Sequence, residues 1–166
     1  MLTVIRTLRL ISLVVWVGGL IFFAFVVAPV AFTSLPSTHE AGIVVGGTLR
    51  VLHIMGLISG VVFAAATLIL HQRAPQALKK IHQIQLLLIA VMLAATAYLQ
   101  ASILPAMEID RQQAGGNIDA VPTTNPARQH FNRLHARSEH LESGILLAGL
   151  CIVVFIARES PSTEAS

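Results

Sequence analysis

A run of 23 residues without a charge, Leu10 to Phe32, constrains this chain more than any other feature. A hydrocarbon core about 30 Å thick needs about 20 such residues in a helix. Arg6 and Arg9 precede the run, as basic residues precede a signal peptide, but the apolar region of a cleaved signal has only about 7 to 15 residues. The run therefore predicts a retained membrane-spanning helix, and Pro29 is expected to kink its far end.

Three further apolar runs bring the number of predicted spans to four. Val51–Leu70 has 20 residues and Ile84–Leu104 has 21. Leu141–Ala157 has only 17, but Asn125 followed by Pro126 is typical of a helix start, so the last helix is expected to begin well outside the membrane. Composition agrees with a lipid environment, because only 11% of the residues are charged, against about a quarter in an average soluble domain.

The predicted fold is all-α, an integral membrane antiparallel four-helix bundle. Ser37 and Glu40 have the spacing of a capping box, which predicts a short interfacial helix between spans 1 and 2, ending near the Gly46–Gly47 pair. We expect one membrane domain, residues 1–158, with spans at about 10–32, 51–70, 84–104 and 138–157. Residues 105–124 are expected to form a polar loop and residues 159–166 a flexible tail.

Small residues at helical spacing mark one face of span 2 and one face of span 3. They are Gly56, Gly60 and Ala64 in span 2, and Ala90, Ala94, Ala97 and Ala101 in span 3. Because helices associate in lipid through close packing, both faces are expected to contact neighbouring helices. These could lie within one chain, in a homo-oligomer or in a larger membrane complex.

The distribution of basic residues predicts the orientation in the bilayer. Four spans place both termini on one side, which carries six Lys and Arg against five on the other. The turn between spans 2 and 3 is short and basic, with Arg73, Lys79 and Lys80, and this favours cytoplasmic termini in the cell (inner) membrane. Cations scattered at the ends of apolar runs predict contacts with lipid headgroups and argue against nucleic acid as a partner.

The histidines separate by depth and by face. His71 and His82 flank the basic turn and are expected to lie at headgroup level. His53 shares a face with Gly56 and Gly60, so it is expected to point at a neighbouring helix. An ionisable residue in that position is a candidate functional residue, because burying it without a partner is costly. The alternative is a structural histidine that is hydrogen-bonded across the bundle.

The histidines of the last helix, His130, His135 and His140, are five residues apart and cannot bind one metal together. Span 2 begins and span 4 enters the membrane at the same non-cytoplasmic side. The candidate cofactor-binding residues are therefore Arg50, His53, His135 and His140, and the candidate metal ligands are His53 and His135.

Two kinds of cofactor fit these residue types. Two imidazoles from facing helices could bind the iron of haem b, with Arg50 pairing a propionate. Met55 and Met107 are soft ligands that would suit copper instead. No cysteine pair or haem-attachment motif decides between them, and Cys151 is the only cysteine.

Two stretches of the sequence resemble a known family. They are Val27–Phe32, which follows the Gly18–Gly19 pair, and Phe131–Ser138 at the head of the last helix. They resemble small four-helix membrane proteins of unknown function, a family that includes eukaryotic transmembrane protein 205. The resemblance covers residues 8–157, and the motif residues here are Phe131, Leu134, His135 and Ser138. This chain has Glu142 where the family usually has an amide.

The resemblance implies an integral membrane protein without an assigned reaction. A more distant similarity, at the level of the fold, links it to copper-resistance membrane domains and to the haem-linked membrane oxidase of protoporphyrinogen.

Two functions remain open from the sequence. The first is a small bundle that binds haem, copper or another small ligand through His53 and His135 at the non-cytoplasmic side, in redox chemistry or transport. The second is a structural or assembly subunit of a larger membrane complex. The sequence contains no recognisable catalytic constellation, and its Gly-Gly pairs lack the strand that precedes a phosphate-binding loop, so an enzyme is not expected.

Overall fold

Four long apolar helices run antiparallel in the computed structural model, which describes residues 2–159. Each is long and apolar enough to cross a membrane, and we name them spans 1 to 4. They are Leu2–Ser34, Thr38–Arg73, Gln76–Gln113 and Pro126–Ala157. Residues 2–159 contain no strand, so the predicted all-α membrane bundle is confirmed. We call the end that holds Leu2 and Ala157 the terminal end, and the end that holds residues 114–125 the loop end.

Spans 1 and 3 are each interrupted by a π-helical turn. Span 1 consists of α1 (Leu2–Phe22), a π turn (Phe23–Val27) and α2 (Ala28–Ser34). Span 3 consists of α4 (Gln76–Tyr98), a π turn (Leu99–Ile103) and α5 (Leu104–Gln113). Span 2 is the single helix α3 (Thr38–Arg73), and span 4 is α6 (Pro126–Ala157).

Proline explains both π turns. In an α-helix the ring of Pro29 would collide with the carbonyl of Phe25, four residues earlier, and would leave it without a donor. A wider turn relieves the collision, and one is found directly before Pro29. Pro105 would likewise collide with the carbonyl of Ala101, four residues earlier, and the second π turn precedes it. Pro29 thus changes the helical register of span 1 without ending the span.

The short helix predicted between spans 1 and 2 is not separate but forms the first part of span 2. It starts as the capping box predicts, with the Glu40 N–H donating to Ser37 Oγ at 3.2 Å. Gly46 and Gly47 do not end it, because each costs only about 1 kcal/mol relative to alanine and removes no backbone hydrogen bond. α3 continues for 36 residues to Arg73.

The polar loop predicted for residues 105–124 is shorter than expected. Its first part is helical, since α5 continues span 3 to Gln113. Gly115 and Gly116, with φ of 76° and 93°, then turn the chain where a side chain would be strained. Asn125 starts α6 as predicted, because its Oδ1 accepts the Ala127 N–H at 2.9 Å. Of the predicted tail, residues 160–166 lie outside the described part of the chain.

Span 1 packs closely on span 2 through the predicted glycine face. A Cβ atom at Gly56 would lie 2.7 Å from Trp16 Cε2, and one at Gly60 would lie 2.5 Å from Trp16 Cζ3. The indole therefore fits only because both positions lack a side chain. The small face predicted for span 3 does not pack within this chain's bundle, because all four of its alanines are exposed. The buried face of span 3 is formed by Ile89, Met92, Thr96, Leu99 and Ile103.

Candidate functional site

His53 lies inside the bundle, with 1% of its surface exposed, and contacts two other spans. Its Nδ1 is 3.2 Å from Oε1 of Gln100, in the π turn of span 3. Its Nε2 is within hydrogen-bond distance of Oε1 of Glu142, in α6. We call these three residues the His53 cluster. Spans 2, 3 and 4 each contribute one polar side chain to it.

The cluster belongs to the half of the bundle nearer the loop end. His53 is 20 residues before Arg73, which places it about 30 Å along α3 from the terminal end. On span 3, Gln100 lies only a few residues before Pro105, in the π turn that this proline imposes. The proline-induced turn therefore carries the amide that contacts His53.

The hydrogen-bond partners of His53 are compatible with two protonation states of its ring. Gln100 Oε1 and Glu142 Oε1 are both acceptors, so each ring nitrogen needs a hydrogen to donate. A doubly protonated ring would donate to both oxygens, with Glu142 as its counter-charge. If the Gln100 amide turned by 180°, its NH₂ group would donate to Nδ1, and a neutral ring would fit equally well. The cluster accommodates a histidine with or without the second proton.

The other predicted site residues do not join His53. Arg50 and His140 are exposed. The side chain of His135 is 49% exposed and lies 3.3 Å from Glu139. His135 is seven residues before Glu142, about 10 Å along the helix axis, so it cannot share a coordination sphere with His53. Of the four candidates, the structure places only His53 among buried polar partners.

The residue arrangement does not fit a haem iron or a copper ion. Both ring nitrogens of His53 are already engaged, and within residues 2–159 no three His, Cys, Asp or Glu side chains are close enough to hold a metal ion. Met55 is exposed, whereas Met107 is buried. A cofactor at His53 would have to displace Gln100 or Glu142.

The motif residues at the head of α6 pack against one another. The ring of His135 stacks on Phe131 at a centroid distance of 6.2 Å. Ser138 Oγ donates to the backbone carbonyl of His135 at 3.0 Å. The guanidinium of Arg111, from α5, lies 5.8 Å from the centre of the Phe131 ring. Of these contacts, the one between Arg111 and Phe131 joins α5 to α6.

A second polar site also occupies the loop end, outside the apolar part of the bundle. His130 Nδ1 donates to both carboxylate oxygens of Asp110, at 2.8 and 3.0 Å. The pair lines an open cleft of about 500 Å³, together with Gln113 and Arg133. Sequence reasoning missed this pair, because the two residues are 20 positions apart on different helices.

A further polar cluster lies at the terminal end and was also missed. Arg9 is 3% exposed, and its Nη2 donates to the carboxylate of Glu159. Gln85 Nε2 donates to the same carboxylate at 2.7 Å, and His82 Nε2 lies 3.5 Å from it. We call these four residues the Arg9 cluster.

These contacts correct one prediction, because Glu159 is engaged where a tail was expected. His82, expected at headgroup level, lies six residues after the start of α4, and its side chain is buried against the bundle. The sequence held one signal for both clusters, because Gln85 and Gln100 are the two amides within the third apolar run.

Comparison with known proteins gives one match. A family model described as a domain of unknown function, DUF4149, matches residues 11–115, which include most of span 1 and all of spans 2 and 3. No curated protein and no solved structure matches the chain. The matched region contains His53 and Gln100 of the His53 cluster, whereas Glu142 lies beyond it.

Proposed function

The chain belongs to the DUF4149 family, whose members carry a domain of unknown function, and from that premise we propose that it is a small polytopic membrane protein that binds and releases a proton at the His53 cluster. The observation that carries the proposal is the engagement of both nitrogens of a buried imidazole by oxygen atoms of Gln100 and Glu142.

Energetics support a functional role for the pair. An ionisable pair inside a bundle gains little over well-packed apolar residues of the same volume, because desolvation offsets the attraction. Polar and ionisable residues at membrane depth therefore mark proton and ion pathways more often than they stabilise a fold. Gln100 adds a side chain whose two orientations match the two states of the ring.

The experiment measures proton binding directly. Proteoliposomes are adsorbed on a supported membrane, and a pH jump drives a transient charge displacement as protons enter or leave buried sites. We expect this charge to fall at least twofold in His53→Gln and in Glu142→Gln, because each removes one partner of the pair. His140→Gln is the matched control, since His140 is an exposed imidazole two residues from Glu142. Equal charge in all four proteins would overturn the proposal.

Haem b or copper at His53 and His135 is the other ligand that the sequence suggests. Binding would require His53 to release Gln100 or Glu142, and it would require His135 to approach from about 10 Å along α6. A Soret band or bound copper that disappears in His53→Gln would favour this ligand over a proton.

An assembly role is the second candidate function. The supporting observation is the exposed stripe on span 3, where Ala90, Ala94, Ala97 and Ala101 would allow another helix to approach closely. A homo-oligomer or a larger complex would bury that stripe. The mass of the detergent-purified protein and its change in Ala94→Leu test this role, and Leu87, already large and exposed, is the place for a matched Leu87→Phe control.

Membership in the branch that includes transmembrane protein 205 is likewise a proposal. It is supported by the motif of Phe131, Leu134, His135 and Ser138. These residues lie beyond the matched region of residues 11–115. Within the motif, Phe131 is the residue that contacts α5, through Arg111.

A further inference from the structure

The Arg9 cluster contains more buried polar atoms than its own side chains can satisfy. Arg9 Nε and Nη1, His82 Nδ1 and Gln85 Oε1 have no hydrogen-bond partner among residues 2–159, and neither does Nδ1 of the adjacent His71. The rings of His71 and His82 meet edge to face at 6.1 Å. Buried polar atoms in folded proteins are almost always partnered by protein or by ordered water.

The chemistry of these atoms selects the missing partner. The arginine nitrogens are donors, the glutamine oxygen is an acceptor, and the histidine nitrogens can be either. The charge of Arg9 is already balanced by Glu159, so the site does not call for an ion. Water both donates and accepts, and it forms about three hydrogen bonds in such places.

We infer that the Arg9 cluster is a hydrated site that exchanges protons with the solution at the terminal end. The titratable groups that face it are His71 from α3, His82 from α4 and Glu159 after α6, while Arg9 stays charged. A proton arrives from bulk water through the bound water, resides on His82 or Glu159, and returns by the same route. The hydration of the Arg9 cluster is argued from its own atoms. The pairing of this cluster with a second proton-binding site at His53 rests on the proposed function.

An apolar layer separates the two clusters. Phe63, Ile89, Met92 and Ile152 are at most 1% exposed and lie between them. Gln85 and Gln100 are 15 residues apart on span 3, about 22 Å along its axis. Between these two amides Thr96 is the one buried polar residue of span 3. We therefore expect each cluster to exchange protons with the solution at its own end of the bundle.

Hydroxyl-radical footprinting of the wild-type protein in lipid nanodiscs tests the hydration. Radicals formed from bound water modify the side chains beside it. We expect His82 and His71 to be modified at least fivefold faster than Met92, an intrinsically reactive side chain within the apolar layer. Modification of His82 at or below the rate of Met92 would overturn the inference. The experiment uses only the wild-type protein, so its result does not depend on whether a variant folds.

The pH-jump measurement separates this inference from the proposed function. We expect Glu159→Gln and His82→Gln each to lower the displaced charge, with Lys79→Gln, a basic residue near the same end, as the control. Loss in these variants but not in Glu142→Gln would leave the Arg9 cluster standing and remove the His53 proposal. Loss in Glu142→Gln alone would remove the proton exchange inferred here.

Discussion

The contact between His53 and Glu142 decides how the middle of this bundle responds to substitution. A carboxylate that neutralises a buried imidazolium offsets a desolvation cost that either group alone would leave uncompensated. Removing one partner should therefore cost more than removing both. This asymmetry distinguishes a true pair from two residues that merely lie close together.

The first prediction is a double-substitution cycle. Glu142→Leu is expected to lower the free energy of unfolding by about 3 kcal/mol, because His53 remains buried without its counter-charge. The double variant with His53→Leu should be more stable than Glu142→Leu alone. Unfolding in mixed detergent, followed by circular dichroism, measures both values. Glu139→Leu on the same helix is the control, since Glu139 is exposed and little change is expected.

The cycle also needs the single variant His53→Leu. If the losses in unfolding free energy of the two single variants sum to that of the double variant, within about 0.5 kcal/mol, the residues are not coupled. The proton-binding proposal would then lose its physical basis, whatever the stability of the variants.

At the scale of the helices, span 1 packs closely on span 2 because two positions of span 2 are glycine and carry no Cβ atom. Gly56 and Gly60 leave room for the indole of Trp16, whose rigid ring cannot move aside as a flexible chain would. The second prediction follows from this contact. Gly56→Ala should lower the unfolding free energy by about 1 to 3 kcal/mol through overpacking.

Gly47→Ala, on the same helix, places its new Cβ more than 4 Å from every described atom outside its chain neighbours and the nearby helix backbone. It should instead stabilise the protein slightly, because alanine favours a helix by about 1 kcal/mol over glycine. Thermal unfolding of both variants gives the comparison, and equal losses would show that glycine acts here through the backbone and not through Trp16.

The third prediction concerns the π turn that carries Gln100. Pro105→Ala restores a backbone N–H, so the preceding turn can return to α-helical bonding. The π turn contains one residue more than an α-helical turn. Without this extra residue, Gln100 would rotate by about 100° around the helix axis, away from His53. We expect the displaced charge in the pH-jump measurement to fall as it does in the His53 variant.

Pro29→Ala is the matched control, because the π turn before Pro29 carries no residue of the His53 cluster. A charge lowered equally by both substitutions would indicate a general loosening of the bundle. In that case the position of Gln100 would not explain the effect.

The number of helices could be predicted from the sequence, but the face that each one buries could be predicted only in part. Uncharged runs of about 20 residues have one stable outcome in lipid, which is why the four spans were foreseen. Alanine satisfies both a helix interface and the lipid, so the stripe from Ala90 to Ala101 carried no information about burial. Polar residues do carry it, since Gln85 and Thr96 mark the buried face of span 3.

The site was predictable only as a single residue. His53 could be found because its helix face is shared with Gly56 and Gly60. Its partners could not, because the sequence does not specify the relative rotation of spans 2, 3 and 4. The π turn before Pro105 shifts the face of Gln100, and no periodicity shows such a shift in advance.

On the scale of the whole molecule, two polar clusters lie toward opposite ends of the bundle, and within residues 2–159 no group of three potential metal ligands surrounds either of them. The fourth prediction is that detergent-purified protein contains less than about 0.1 haem or copper per chain, because no free donor set surrounds His53. Absorbance spectra and elemental analysis measure this. One haem or one copper per chain, lost in His53→Gln but not in His140→Gln, would refute it.

The orientation of the bundle determines which solution each cluster meets. The turn between spans 2 and 3 has only residues 74 and 75 outside helices, and Arg73, Lys79 and Lys80 stand beside it at the terminal end. Short basic segments remain in the cytoplasm, so the termini are expected there and the His53 cluster is expected to face the outside.

A fluorescent protein fused after residue 166 should therefore be bright, and alkaline phosphatase inserted at Gly116 should be active. The reverse pattern would invert the assignment, and each cluster would then exchange protons with the opposite solution. Replacing Arg73, Lys79 and Lys80 with Gln should weaken the bias measurably, whereas replacing Arg128, Arg133 and Arg137 on the protruding part of α6 should not.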